Sequence, residues 1–154
     1  MHLRRAEPPD LASVIGCADQ AFAAFTGASG QGDAPCGDLA PKTDRELTSQ
    51  ILDGAVSLIC DERKILGYIS LQPTNDHLFI DSVAVLPKHH GKGLGSQLMA
   101  FAEMEALRLK LSSVRLFTNA KMVANHRFYL RRGYFETGRC DNDGYARVFY
   151  SKDI

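Results

Sequence analysis

The chain has 154 residues, 45% of them hydrophobic and 23% charged, which suits one soluble globular domain with a proper core rather than two. Eighteen basic side chains balance 18 acidic ones, and this argues against a general nucleic-acid binder, which carries a basic excess. No apolar run approaches the ~20 residues of a membrane span, so neither nucleic acid nor membrane is an expected partner.

In chain order, "LRRA" at 3–6 reads as a short strand. "PPDLASVIGCADQAFAAF" reads as a helix, with Asp10 as its cap and Leu11, Val14, Ile15 and Ala18 repeating at helical spacing. A Gly-, Ala- and Pro-rich stretch, 26–41, follows; a loop of that length is either functional or a tolerated insertion. "KTDRELTSQILDG" suggests a short helix ending near Gly54. "AVSLIC" and "KILGYISLQP" are strand-like and joined by a hairpin, and "HLFIDSVAVLP" is a further strand closed by Pro87. Gly93 to Leu111 reads as a helix and "SVRLFTN" as a strand. "KMVANHRFYLRRG" reads as a helix stopped by Gly133, and "YFETGRC" with "YARVFYSK" as a closing hairpin across "DNDG". The order β-α-α-β-β-β-α-β-α-β-β predicts antiparallel pairing at both ends and one parallel crossover over 77–118.

The N-terminal "MHLRRAEPPDL" has no apolar stretch after its arginines, so no signal peptide is expected. Cys17, Cys36, Cys60 and Cys140 are scattered without a CxxC pair. They read as reduced thiols of a cytoplasmic protein, with no metal site.

The segment "VAVLPKHHGKGLGSQLM" carries most of the functional information. Gly91, Gly93 and Gly95 lie between an apolar strand and a helix start. Glycine lets backbone approach a ligand. A helix start offers unpaired N–H groups and a positive dipole end. After a strand, these make an anion site, most naturally for phosphate. Turn and packing roles would also explain such a cluster. The P-loop pattern GxxxxGK[ST] is missing, and GxGxxG fails from Gly91 and from Gly93.

This segment resembles the acyl-CoA-binding motif of the GNAT superfamily of N-acyltransferases: a strand ending V-x-V-x-P, a [QR]-x-x-G-x-[GA] loop, then a helix. The later "NAKMVANHRFYLRRGYFETG" is similar to the family's second signature, an Asn and a Phe-Tyr pair before a Gly-aromatic turn. Both occur in family order, and the resemblance covers roughly residues 3–152. One departure stands at His90, where the family has Gln or Arg; a histidine, with its reference pKa of ~6.5, lacks the fixed charge of Arg.

The resemblance implies a single domain over 1–154: an α+β fold with a mixed, mostly antiparallel sheet of six to seven strands and about four helices. It implies acetyl-CoA as cofactor and direct acetyl transfer to a primary amine of a small molecule or peptide. Cofactor contacts are expected from Val83, Ala84 and Val85, which would pair with the pantetheine arm as an added strand. His90, Gly91, Lys92, Gly93, Leu94, Gly95 and Ser96 are expected at the pyrophosphate. Asn119 and Asn125 are further contacts, and the N–H near Val83 is the expected oxyanion donor.

Tyr129 is the candidate acid for the leaving thiolate, four residues after Asn125 and on the same helix face. Its other reading is a core aromatic. Asp81 is the candidate base. Alternation puts it on one face with Phe79, Val83 and Val85, and its other reading is a polar residue at a sheet edge or an arginine's partner. His77, Glu136 and ordered water are rivals for that role. A non-catalytic acyl-CoA sensor of the same fold is the alternative function. Many relatives form homodimers, but nothing in the sequence marks an interface.

Overall fold

The computed structural model describes residues 1–22, 44–120, 123–142 and 145–154. The loop expected over 26–41 and the turn of the closing hairpin lie outside them. Seven strands form one sheet in the order β1-β2-β3-β4-β5-β7-β6. They are β1 (His2–Arg5), β2 (Val56–Asp61), β3 (Lys64–Pro73), β4 (His77–Val85), β5 (Ser113–Asn119), β6 (Phe135–Asn142) and β7 (Tyr145–Asp153). Every pairing is antiparallel except β4 with β5. The helices are α1 (Leu11–Phe22), α2 (Asp44–Leu52), α3 (Leu94–Arg108) and α4 (Val123–Arg131). Fold class and element order match the sequence reading.

The helix ends follow local chemistry. Pro8 to Asp10 form a 3-10 turn before α1, so the helix starts at Leu11. Asp10 does not cap α1 as expected. Its carboxylate accepts the Glu7 N–H at 2.8 Å and two bonds from the Arg4 guanidinium. Gly133 stops α4 as expected, in the left-handed region at φ +91°, and the Tyr134 N–H reaches back to the Tyr129 carbonyl at 3.1 Å.

Two apolar cores flank the sheet. Under α3 and α4 lie Ile69, Leu78, Ile80, Leu98, Val114, Val148 and Tyr150; on the other face Val14, Leu47, Leu58 and Tyr68 pack with α1 and α2. The α3 stripe buries Leu94, Leu98, Met99, Ala102 and Ala106. Glu105 at its margin takes hydrogen bonds from Arg108, the shortest 2.8 Å. On α3, Glu103 accepts from Arg132 at 3.2 Å and Lys152 at 2.7 Å, tying the helix to the end of α4 and to β7.

Among the described residues no helix is long and apolar enough to cross a membrane, and no group of three metal-ligating side chains gathers. Cys17 and Cys60 are buried free thiols, but Cys140 is disulfide-bonded. The expectation of four reduced thiols therefore fails at Cys140, because spacing along the chain does not reveal which cysteines the fold brings together.

Candidate functional site

The site grows from an interruption in the sheet. β4 and β5 pair only over His77–Phe79 and Ser113–Arg115. Beyond Phe79, β4 continues to Val85 against β3 alone, and β5 continues to Asn119 against β7 alone. The two strands therefore leave a split with an unpaired edge on β4. The Leu86 N–H donates to the Leu66 carbonyl on the β3 side. Adjacent residues of a strand direct their polar groups to opposite edges. Val85, and by the same alternation Val83, thus aim N–H and C=O into the split, while Ala84 turns its backbone toward β3. The Val85 carbonyl is engaged by His90; the remaining edge groups, the Val83 N–H and C=O and the Val85 N–H, are a template for one more extended partner.

At the end of β4 the chain makes a 3-10 turn over Pro87–His89 and enters the glycine segment. Gly91 and Gly93 both hold φ +80°, where a side chain is strained. Gly93 is the N-cap of α3, and the first intrahelical bond runs from the Gln97 N–H to the Gly93 carbonyl at 3.1 Å. The N–H groups of Leu94, Gly95 and Ser96 precede that bond and need another acceptor. A Cβ built on Gly91 or Gly93 would meet nothing within 4 Å, so the approach to these donors is open. His90 donates Nε2–H to the Val85 carbonyl at 2.9 Å, pinning the loop to the strand end. Lys92 donates to His89 Nδ1 at 3.3 Å. Partial desolvation, then the charges of Lys92, Lys88 and Lys64, hold His89 below its usual pKa. The loop is locally cationic in a chain of zero net charge.

On the α3 and α4 side of the sheet stands Tyr129, 5% exposed, among the rings of Phe128, Tyr134 and Tyr150. Burial, and secondarily Tyr150, pushes its hydroxyl above the ordinary tyrosine range. The group keeps its proton at neutral pH, as an acid should and a base should not. Asn125, one turn earlier, donates Nδ2–H to the Thr118 hydroxyl at 3.4 Å and ties α4 to the end of β5. Asn119 ends β5, with its backbone opposite Arg147.

Asp81 stands on the opposite face from the one shared by Val83 and Val85. The β3–β4 register jumps there: Ser70 pairs with Ser82 but Leu71 with Ile80, leaving Asp81 as the extra residue of a bulge. The inserted residue resets the period-two pattern. Leu78 and Ile80 before it, and Val83 and Val85 after it, all pack into the core under α3. Asp81 faces α2 instead, where Gln50 Nε2–H reaches its Oδ2 at 2.7 Å and Ser70 donates to Gln50 Oε1 at 2.9 Å. The expected common face of Asp81 with Val83 and Val85 is corrected, because alternation holds only within an unbroken ladder. The candidate acid and the candidate base therefore stand apart: Tyr129 lies on one side of the sheet and Asp81 on the other, with the split between.

The rivals sit elsewhere. His77 opens β4 at the closed end of the split, its Nδ1 shared between Asp76 Oδ1 at 2.8 Å and Thr74 Oγ1 at 2.9 Å. Glu136 lies on the outermost strand, paired with Arg139 at 2.6 Å.

Sequence reasoning passed over His126 and Tyr150. His126 Nε2 lies 3.1 Å from the Ala120 carbonyl, which can only accept, so Nε2 carries the proton. Neutral imidazole then has a bare Nδ1, which takes the Tyr150 O–H at 2.5 Å. This clamp joins α4, the end of β5 and β7 one helical turn from Tyr129. The helical spacing of His126 and Tyr129 was a signal for the first member; Tyr150 is 24 positions away and left none.

A family model described as "Acetyltransferase (GNAT) family" matches residues 14–134 of the chain. The aminoalkylphosphonate N-acetyltransferase of Salmonella typhimurium is 47% identical over 55 residues, and the match spans 36% of each protein. Two solved structures superpose along nearly the whole chain. The ribosomal-protein-S18-alanine N-acetyltransferase of Escherichia coli has a TM-score of 0.78 at 17% identity, covering 99% of this chain and 93% of that one. The PaiA N-acetyltransferase of Thermoplasma acidophilum, solved with coenzyme A, has a TM-score of 0.80 at 16% identity, covering 99% and 98%. At such identities the likeness speaks for the fold.

Proposed function

The chain belongs to the GNAT acetyltransferase family, and on that premise we propose that it transfers an acetyl group from acetyl-CoA to a primary amine by direct attack in a ternary complex. The observation that carries this reading is the split sheet ending in a donor-rich helix start. An extended arm can pair with the edge of β4 while its anionic end meets the N–H groups of Leu94, Gly95 and Ser96. The residues fit the cofactor: strand-edge groups of Val83 and Val85 for an amide-containing arm, and helix-start donors with Lys92 nearby for a diphosphate. Bound there, acetyl-CoA supplies an acetyl group activated as a thioester.

The chain's own residues meet the two proton demands. An amine of pKa ~10 is protonated at pH 7 and must become neutral before it can attack. Asp81, oriented by Gln50, is a carboxylate on the α2 side that can take that proton. Tyr129, on the α4 side, retains a proton for the departing thiolate. Asn125 and the His126–Tyr150 clamp hold α4 in place for it. The relative named as an aminoalkylphosphonate N-acetyltransferase supports a small primary amine as acceptor.

The test is thiol release from acetyl-CoA across a panel of small amines and peptide amines, with coenzyme A binding measured by calorimetry on the same preparation. Turnover with at least one amine is expected. Binding without turnover on any of them would instead make the protein an acyl-CoA sensor; no binding at millimolar cofactor refutes both.

A further inference from the structure

A cavity of about 400 Å³ opens on the α3 side of the sheet and shares no residue with the glycine segment or with the open part of β4. α3 packs mainly on β3, β4 and β5, which leaves room beside it over β1 and β2. Phe101, Glu105 and Arg108 build the helical wall; Glu105 stands about 16 Å along the helix from the donor at Leu94. The opposite wall carries two polar side chains next to one another. Arg5 on β1 is the register partner of Ser57 on β2, and residues directly opposite in an antiparallel pair project to the same face, with Cβ atoms about 5 Å apart. Ile59, on the same face of β2 as Ser57, enters the α3 core, so both side chains stand on the cavity side. Ser57 is 7% exposed, yet its hydroxyl has no hydrogen-bond partner among the described residues. The Arg5 guanidinium, exposed at the rim, has no hydrogen-bond or ion-pair partner among them either. Packing places it: a Cβ built on Gly54 would stand 3.5 Å from Nη1 and 3.7 Å from Cζ, so the side chain lies along bare backbone. Arg108, by contrast, is committed to Glu105.

We propose that this cavity binds a small monocarboxylic acid with an aromatic or branched apolar body, its carboxylate held by Arg5 and Ser57. The site is independent of the acetyltransferase reading above. A planar guanidinium presents paired donors that match the two oxygens of a carboxylate, and the neighbouring hydroxyl supplies a further one. The charge of the occupant follows from the other lining groups. Arg108 and Glu105 neutralise each other, and Asp53 adds a carboxylate on the exposed turn after α2. One uncommitted cation near two carboxylates suits a single negative charge and disfavours a phosphate dianion. The size follows from the volume, which lies in the range of small-molecule sites and exceeds what a lone carboxylate group fills. The apolar body follows from the walls: Leu71, Phe101 and Leu109 line the cavity, and Leu109 is left 37% exposed. Covering these side chains adds the apolar part of the affinity.

The experiment titrates 3-phenylpropionate, 3-phenylpropanol and 3-phenylpropylamine into the protein by calorimetry at millimolar ligand, with and without millimolar coenzyme A. The acid is expected to bind about tenfold or more tightly than the alcohol or the amine, the discrimination that hydrogen bonds to a charged group support. Its affinity should be the same with coenzyme A present, because the cavity lies at the far end of α3 from the glycine segment. Arg5→Gln should erase the preference for the acid, and Arg5→Lys should keep part of it. Ser57→Ala should weaken binding of the acid by about fivefold. A thermal melt at the wild-type temperature for each variant separates a lost contact from a lost fold, and the comparison of the three ligands needs no variant at all. Absence of binding by the acid, equal binding by the alcohol or the amine, competition with coenzyme A, or a preference untouched by Arg5→Gln each overturns the proposal. None of these outcomes decides acetyl transfer, which thiol release tests separately.

Discussion

Tyr129→Phe separates chemistry from stability more cleanly than any other single change here. The substitution removes one oxygen. The ring keeps its contacts with Phe128 at 5.3 Å, Tyr150 at 5.7 Å and Tyr134 at 6.0 Å between centroids. The hydroxyl has no hydrogen-bond partner among the described residues, and the shift of its pKa comes from burial and Tyr150 rather than from a bond. No partner is orphaned, so the stability change should stay within about 1 kcal/mol. For a chain of this size that is about 2–4 °C in melting temperature. Loss of a general acid costs about 100-fold or more in rate, which is about 2.7 kcal/mol of barrier at 1.36 kcal/mol per tenfold. The assays are thiol release for kcat, calorimetry for coenzyme A and a thermal melt, all on one preparation. The expected pattern is a fall in kcat of about 100-fold with cofactor affinity and melting temperature nearly unchanged. A variant that turns over at the wild-type rate would show that Tyr129 is a packing residue. One that loses affinity and melts far lower would show that the hydroxyl is structural, and the reasoning from its environment would be wrong.

Gly93→Ala forces a side chain into φ +80° in otherwise open space, so its cost is conformational, about 1–2 kcal/mol. The strain relaxes by reshaping the helix start, and calorimetry should show coenzyme A binding weakened by about tenfold, a loss of about 1.4 kcal/mol. Asp10 is held below its ordinary value of 3.8, chiefly by its hydrogen bonds from Arg4. A depressed carboxyl stabilises the fold above the unfolded value and loses that contribution as pH falls through the folded one. Asp10→Asn should therefore destabilise the protein at pH 7 by denaturant titration, with the difference from wild type shrinking as pH drops below 3.8; a constant difference across that range would refute the assignment. Burial pushes the Cys17 thiol up to about 12. It should resist a disulfide exchange reagent at pH 8 and react only after unfolding; rapid native modification at Cys17, mapped by mass spectrometry, would show that the site is open.

The elements of this protein are written locally. The apolar runs at 56–61 and 64–73, the helical spacing through α3 and the stop at Gly133 depend on neighbours a few residues away, and each could be read in the chain. The glycine segment belongs to the same class, because a positive φ at Gly91 and Gly93 and orphan donors at a helix start are properties of a short stretch. What sequence could not decide is whatever depends on register between distant strands. The bulge at Asp81 exists only because Ser70 pairs with Ser82 while Leu71 pairs with Ile80, and that single inserted residue sends Asp81 to the face opposite Val83 and Val85. The clamp between His126 and Tyr150, and the guanidinium of Arg147 over Phe117, likewise join side chains 24 and 30 positions apart (147 − 117 = 30). Periodicity names the face of a strand only up to its next irregularity, and an irregularity is set by the partner strand. The tertiary fold alone therefore decided which carboxylate meets which face of the split.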